Sequence, residues 1–130
     1  MGYVDVLAPR ALRTAAGVEL RLRSPLARAV PLSVVSLELA FDGAEIEPDR
    51  IRFCVNDRDY SLSELPALHD ESWFVLDPAR VRVRLDAPAT SHDVEVRLSI
   101  RSPFIPREGA VPVRTVHRRQ VEVVDERDVR

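Results

Sequence analysis

Val94-Glu95-Val96-Arg97-Leu98-Ser99-Ile100-Arg101, residues 94–101, alternates apolar and polar side chains at every step. Successive side chains on a β-strand point to opposite faces, so Val94, Val96, Leu98 and Ile100 share one face. On an α-helix the same four residues would fall about 200° apart and form no stripe. The stretch is therefore a strand with one face for a core and one for water. The pattern recurs along the chain. Val18, Leu20 and Leu22 alternate with Glu19, Arg21 and Arg23, and Leu37, Leu39 and Phe41 with Ser36, Glu38 and Ala40. Ile51, Phe53 and Val55, then Val81, Val83 and Leu85, then Val121 and Val123 repeat it.

Turn chemistry separates the runs. Asp42-Gly43 closes one strand, and Asn56-Asp57 suits a tight hairpin between Ile51–Val55 and Arg58–Ser61, because Asn and Asp tolerate positive φ. Pro48, Pro78, Pro88, Pro103, Pro106 and Pro112 fall between runs or at their ends, where a missing ladder donor does no harm. One short helical turn is expected, capped by Ser61 or Ser63, running through Glu64, Leu65 and Leu68 and limited by Pro66. Tyr3–Leu7 reads as an N-terminal strand followed by a loop to residue 16. Many short strands at this spacing predict an all-β fold, an antiparallel β-sandwich of jelly-roll or immunoglobulin-like type. It forms a single domain over residues 1–130, with its core over about 17–124 and a charged, frayed tail at 125–130.

Composition narrows the function. The 130 residues are 45% hydrophobic and 31% charged, a globular mix. Net charge is −2 with the signs interleaved, and every residue of the basic set apart from histidine is Arg. No basic block calls for nucleic acid or an anionic membrane. Cys54 is the only cysteine, so no intramolecular disulfide forms, which favours a reducing compartment. The N-terminus lacks a secretory pattern, and no apolar stretch approaches the ~20 residues that span a bilayer. The expected location is cytoplasmic.

Chemistry-bearing motifs are missing. His69, His92 and His117 have no further ligand at a recognised metal spacing. His69-Asp70-Glu71 reads as a polar loop, and His92-Asp93 as the solvated start of a strand. There is no G-x-S-x-G elbow, and Cys54, alternating within a strand, reads as a structural thiol. Four glycines leave no phosphate-cradling loop. No residue is assigned a catalytic or metal-binding role.

Three apolar clusters remain. The first, between two strands, contains Pro25, Leu26, Arg28, Pro31 and Leu32; the second contains Trp73 and Phe74, where the period breaks; the third is Pro103-Phe104-Ile105-Pro106. Apolar, proline-braced loops are costly to leave in water, so these residues are the candidates for a subunit interface. For Trp73–Leu76, folding back over the sandwich core is an equal reading.

The same segments resemble the β subunit of C-glycoside deglycosidases. The resemblance runs through Arg21-Leu22-Arg23-Ser24, Arg28-Ala29-Val30-Pro31-Leu32-Ser33 and Leu37-Glu38-Leu39-Ala40-Phe41-Asp42-Gly43. It continues through Ile51 to Leu65, Trp73, His92-Asp93-Val94-Glu95-Val96 and Arg101–Pro106, covering about residues 17–124. It implies an antiparallel β-sandwich that pairs with a larger α subunit of sugar isomerase/epimerase-like barrel fold. It also implies a divalent, manganese-type metal in that partner, and cleavage of the carbon–carbon bond between a 3-oxo sugar and an aromatic aglycone. Such chemistry needs proton abstraction beside the ketone and a metal to stabilise the enolate, which this chain does not supply. The chain departs from the family at Leu26, Ala27 and Ala29, which stand where two aromatics and a Gly are usual, at Asp57 for Gly, and at Phe104 for Tyr. The alternatives are a stand-alone carbohydrate- or protein-binding module, for which one Trp and 5% aromatics make a poor platform, and an independent enzyme.

Overall fold

The structure, a computed structural model, describes residues 6–24, 29–74, 77–86, 88–101 and 113–125. Eleven strands are seen among them: β1 Arg10–Arg13, β2 Gly17–Leu22, β3 Val30–Pro31, β4 Val35–Phe41, β5 Ala44–Glu45, β6 Ile51–Val55, β7 Arg58–Ser61, β8 Ser72–Trp73, β9 Ala79–Arg84, β10 Ser91–Ile100 and β11 Val113–Val124. The all-β expectation holds. Nine strands form one hydrogen-bonded sheet in the order β5-β4-β10-β11-β1-β2-β9-β6-β7, curled into a half-barrel, and β3 pairs with β8 in a separate ribbon. The two facing layers of the expected sandwich are thus joined through β1, which lies between β11 and β2.

Alternation decides which side chains enter the curl. Val94, Val96, Leu98 and Ile100 of β10 are buried, as are Leu37, Leu39 and Phe41 of β4, Val18, Leu20 and Leu22 of β2, and Val81 and Val83 of β9. With Phe53, Ile51 and Trp73 they make one core cluster. Removal of apolar surface at roughly 25 cal/mol per Å² is what drives the sheet to close on itself. Turns sit where the residue types place them. Asn56 and Asp57 hold φ of 54° and 60°, and Asp42 and Gly43 hold 53° and 85°, the left-handed pairs that a two-residue hairpin requires. A 3₁₀ turn spans Leu62–Ala67, and Ser61 caps it: its backbone N–H and its hydroxyl both donate to Glu64 Oε1, at 3.2 and 2.9 Å. Its buried Leu65 joins the core.

Two features differ from the sequence expectation, and a third lies mostly outside the described residues. Arg10–Arg13, read as loop, is a strand that pairs antiparallel with β2 and parallel with β11, so the sheet is mixed rather than wholly antiparallel. β11 extends far N-terminal to Val121–Val123, through Arg114-Thr115-Val116-His117-Arg118-Arg119-Gln120. Its register against β10 puts Arg119 opposite Val94 and His117 opposite Val96, on the inner face, while Val116 is 63% exposed outside. Hydrophobic alternation is inverted there, which is why periodicity overlooked it. The expected strand Tyr3–Leu7 is described only at its end, where Leu7 bridges Leu22. Tyr3–Asp5 and the tail beyond Asp125 lie outside the described residues.

Candidate functional site

Strand direction sorts the connections into two rims. Leu22 faces Ala79 across β2 and β9, Cys54 faces Arg80, and Ile100 faces both Val35 and Val113. The C-terminal ends of β2, β6 and β10 and the N-terminal ends of β4, β9 and β11 therefore share one rim. Because β1 is antiparallel to β2 and parallel to β11, the rim is common to both halves of the sheet. All three apolar connections leave and re-enter here: after Ser24 and before Ala29, after Phe74 and before Asp77, and after Arg101 and before Val113. The opposite rim carries short polar turns such as Asp42-Gly43.

The β3–β8 ribbon closes part of this rim. Val30 pairs with Trp73 and Pro31 with Ser72, and the Leu32 N–H donates to Glu71 O at 2.9 Å. Asn56 of the β6–β7 turn donates its Nδ2 to Ser72 O at 2.9 Å, and Arg58 Nη1 lies 3.2 Å from Glu71 Oε1. The ribbon is thus tied to the hairpin beside it by hydrogen bonds as well as by packing. Trp73 is fully buried, meets Phe53 edge-on at 5.5 Å, and donates its Nε1–H to Asp77 O at 3.0 Å.

The candidate interface residues divide accordingly. Leu32 and Trp73 belong to the core: both are 0% exposed, so neither side chain is open to a partner in the folded chain. The β3–β8 register, with Val30 opposite Trp73, sets them inward. Phe74, one residue beyond Trp73, points the other way and is 49% exposed, the only exposed large hydrophobic besides Val116 among the described residues. Pro31 is half-buried. Pro25, Leu26, Arg28, Pro103, Phe104, Ile105 and Pro106 lie outside the described residues.

Sequence reasoning missed a groove between the start of β4 and the 3₁₀ turn that follows β7. It has a volume of about 740 Å³ and is walled by Val34, Leu62, Pro66, His69 and Arg101, among others. The Arg101 N–H donates to Val34 O at 3.1 Å and fixes one wall, and the capped 3₁₀ turn supplies the other. The signal was present in Ser61-x-x-Glu64 and Pro66, but only packing sets that turn against β4.

The site's electrostatics are those of a scaffold. The two hydrogen bonds from Ser61 hold the Glu64 carboxyl below the usual range. Burial, reinforced by the Asp59 carboxylate, pushes the Cys54 thiol up, away from the thiolate a nucleophile needs. Among the described residues no three His, Cys, Asp or Glu side chains converge as metal ligands would. No helix among them is long and apolar enough to cross a membrane. His92 does not follow its expected solvated placement: its side chain is only 11% exposed and is bonded to Asp42 on the far rim. What this rim offers is a partly apolar surface stiffened by proline and backbone hydrogen bonds.

Comparison with known proteins gives this surface a context. The family model described as C-glycoside deglycosidase beta subunit matches residues 10–104, from β1 to the start of the third apolar connection. The chain is 41% identical over 95 residues to the 3'-dehydrocarminate deglycosidase beta subunit of a Microbacterium species, covering 72% of each protein. It is 36% identical over 92 residues to a C-glycoside deglycosidase beta subunit of Microbacterium trichothecenolyticum, covering 69% of each. A C-glycoside deglycosidase beta subunit of Arthrobacter globiformis is 34% identical over 93 residues, covering 69% of this chain and 70% of that one. The matched span holds the sheet strands β1 to β10 and the β3–β8 ribbon, and on that ground the chain belongs to the C-glycoside deglycosidase beta subunit family.

Proposed function

We propose that this chain is the non-catalytic β subunit of a lyase complex that cleaves the carbon–carbon bond between a 3-oxo sugar and an aromatic aglycone. In this reading a larger α subunit, a barrel of the sugar isomerase/epimerase type, holds a divalent metal of the manganese type and carries out the bond cleavage. The β subunit docks on it through the rim that carries Phe74, Pro31 and the three apolar connections. The complex works in the cytoplasm and needs neither nucleic acid nor membrane.

The observation that carries the reading is the family match together with the gathering of all three apolar connections on one rim. A β subunit implies a second subunit, and an apolar rim suits one. Three of the chain's titratable groups in this region are engaged structurally. Glu71 accepts from Arg58, Glu64 caps its turn and Cys54 is buried.

Co-expression with a candidate larger subunit tests the proposal. The expected result is a stable heteromer on size-exclusion chromatography that releases aglycone from a 3-oxo C-glycoside only when both chains and Mn²⁺ are present. Arg28→Ala and Phe104→Ala should weaken the heteromer while leaving the sheet folded. Turnover of the glycoside by the lone chain, or failure of the two chains to associate, would overturn it.

A further inference from the structure

We infer that the docking surface does not stop at the rim but continues onto the outer face of β2 and β9, where Arg21, Arg23 and Arg80 form a patch that receives carboxylates of the partner subunit. The inference rests on the β-subunit reading above. Its starting point is a register relationship. Arg21 of β2 lies directly opposite Arg80 of β9, so two guanidinium groups of like charge are neighbours on one face. Like charges in directly opposed positions are destabilising. Arg23 continues the column beyond Arg21, and all three side chains are exposed.

Several arginines elsewhere on the sheet are neutralised, whereas Arg84 of β9 and Arg114 and Arg119 of β11 have no ion pair among the described residues but do not face another arginine in register. Arg82, the next residue out on the same face of β9, is paired with Glu19 at 3.1 Å and Asp59 at 3.7 Å. Arg52 pairs with Asp59 at 2.8 Å. On the other half of the sheet Arg118 is bonded to Asp93, and Arg97 to Glu45 and Glu95. Arg21, Arg23 and Arg80 have no ion pair or side-chain hydrogen bond among the described residues. The acids nearest in register, Glu19 and Asp59, are already committed to Arg82 and Arg52. In a chain of net charge −2, this leaves a local excess of three positive charges with no paired carboxylate among the described residues.

Position identifies the occupant. Arg23 leads into the first apolar connection, and Pro78 ends the second. Arg21, Arg23 and Pro78, with Ala8 and Pro9, line one notch of about 330 Å³ at that edge. The patch is therefore continuous with the rim proposed to hold the partner, and a surface covering Phe74 extends over it. Guanidinium forks recognise carboxylates bidentately, and a charged border around an apolar centre sets register and association rate. A polyanion such as nucleic acid is disfavoured because the flanking Glu19 and Asp59 interrupt the positive surface within one residue pair.

The test compares Arg21→Glu, the double variant Arg21→Glu/Arg80→Glu, and Arg118→Glu as a charge-matched control from the other half of the sheet. Arg21→Glu faces Arg80 and should keep or raise Tm, so misfolding does not account for weaker binding. Dissociation constants for the co-purified larger subunit are measured between low and moderate NaCl. The wild-type heteromer should weaken as salt rises; the single and double variants should bind about 10-fold and about 100-fold more weakly at low salt, with a flatter salt dependence. Arg118→Glu should stay within about twofold of wild type. Unchanged affinity and salt slope in the patch variants, with the wild-type heteromer intact, would overturn the patch and leave the β-subunit reading standing. So would equal weakening by Arg118→Glu, or displacement of the larger subunit by a short oligonucleotide. Absence of a wild-type heteromer overturns both.

Discussion

His92 Nδ1 lies 2.7 Å from Asp42 Oδ2, joining residues fifty positions apart across the far rim of the sheet. The proton's location follows from the other ring nitrogen. His92 Nε2 accepts the Ala89 N–H at 3.1 Å, so Nδ1 carries the hydrogen and donates it to the carboxylate. Asp42 Oδ1 accepts the Asp93 N–H at 2.8 Å, and the His92 ring packs on Phe41 with centroids 5.4 Å apart. One aspartate thus latches the β4–β5 turn to the start of β10.

The latch makes stability pH-dependent. The hydrogen bond from His92, then that from the Asp93 backbone, holds the Asp42 carboxyl below the usual aspartate range. A carboxyl depressed in the folded state contributes stability that is complete above the unfolded pKa of about 4 and is lost as pH falls through the lower folded value. Asp42→Asn keeps a residue that tolerates φ of 53° but removes the charge. Asp42 is more than half exposed, so screening limits the loss to about 1 kcal/mol at pH 7. Urea unfolding at pH 7 and pH 3 should show a gap between wild type and variant that closes in acid. A gap that does not narrow between pH 7 and pH 3 would refute the latch.

Trp73 is the chain's sole tryptophan, which makes its burial directly readable. The lone folded chain should emit at short wavelength and resist acrylamide quenching. Adding the larger subunit should leave both properties unchanged, because the indole already faces Phe53 and the Asp77 carbonyl. Trp73→Ala should destabilise by about 3–5 kcal/mol, as large-to-small substitutions at fully packed sites do.

Gly17 stands where the backbone of β9 leaves no room for a side chain. A Cβ there would fall on the Val83 carbonyl oxygen and within 2.5 Å of the Leu85 nitrogen. Neither is a flexible side-chain end, so the β2–β9 ladder itself would have to part. Gly17→Ala should cost more than about 2 kcal/mol in equilibrium unfolding. A variant as stable as wild type would mean that β9 is not held this closely.

Phe74 separates binding from folding. It is half exposed on the rim, next to a buried neighbour. Phe74→Ala should leave unfolding free energy within about 0.5 kcal/mol of wild type. Its affinity for the larger subunit should fall by about 5- to 30-fold, the loss of one aromatic anchor. Full affinity in this variant would move the interface off this edge of the rim.

Alternation of residue type is local, and what it determines is local too. It located β2, β4, β6, β9, β10 and the end of β11, with core side chains of each, because the two-residue period and the pleat are the same fact; β7 came from the turn before it. The Asn56-Asp57 and Asp42-Gly43 turns were legible for a like reason: few residues accept positive φ. Pairing is not local. Nothing in Arg10-Ala11-Leu12-Arg13 announces that it lies parallel to β11, and the polar inner face of Thr115, His117 and Arg119 contradicts its own pattern because its position on the sheet was decided by hydrogen bonds to β10. Tertiary structure alone brought the three apolar connections to one rim, turned Trp73 inward and Phe74 outward, and set Arg21 against Arg80, because each of these depends on strand order and register between segments that the chain separates.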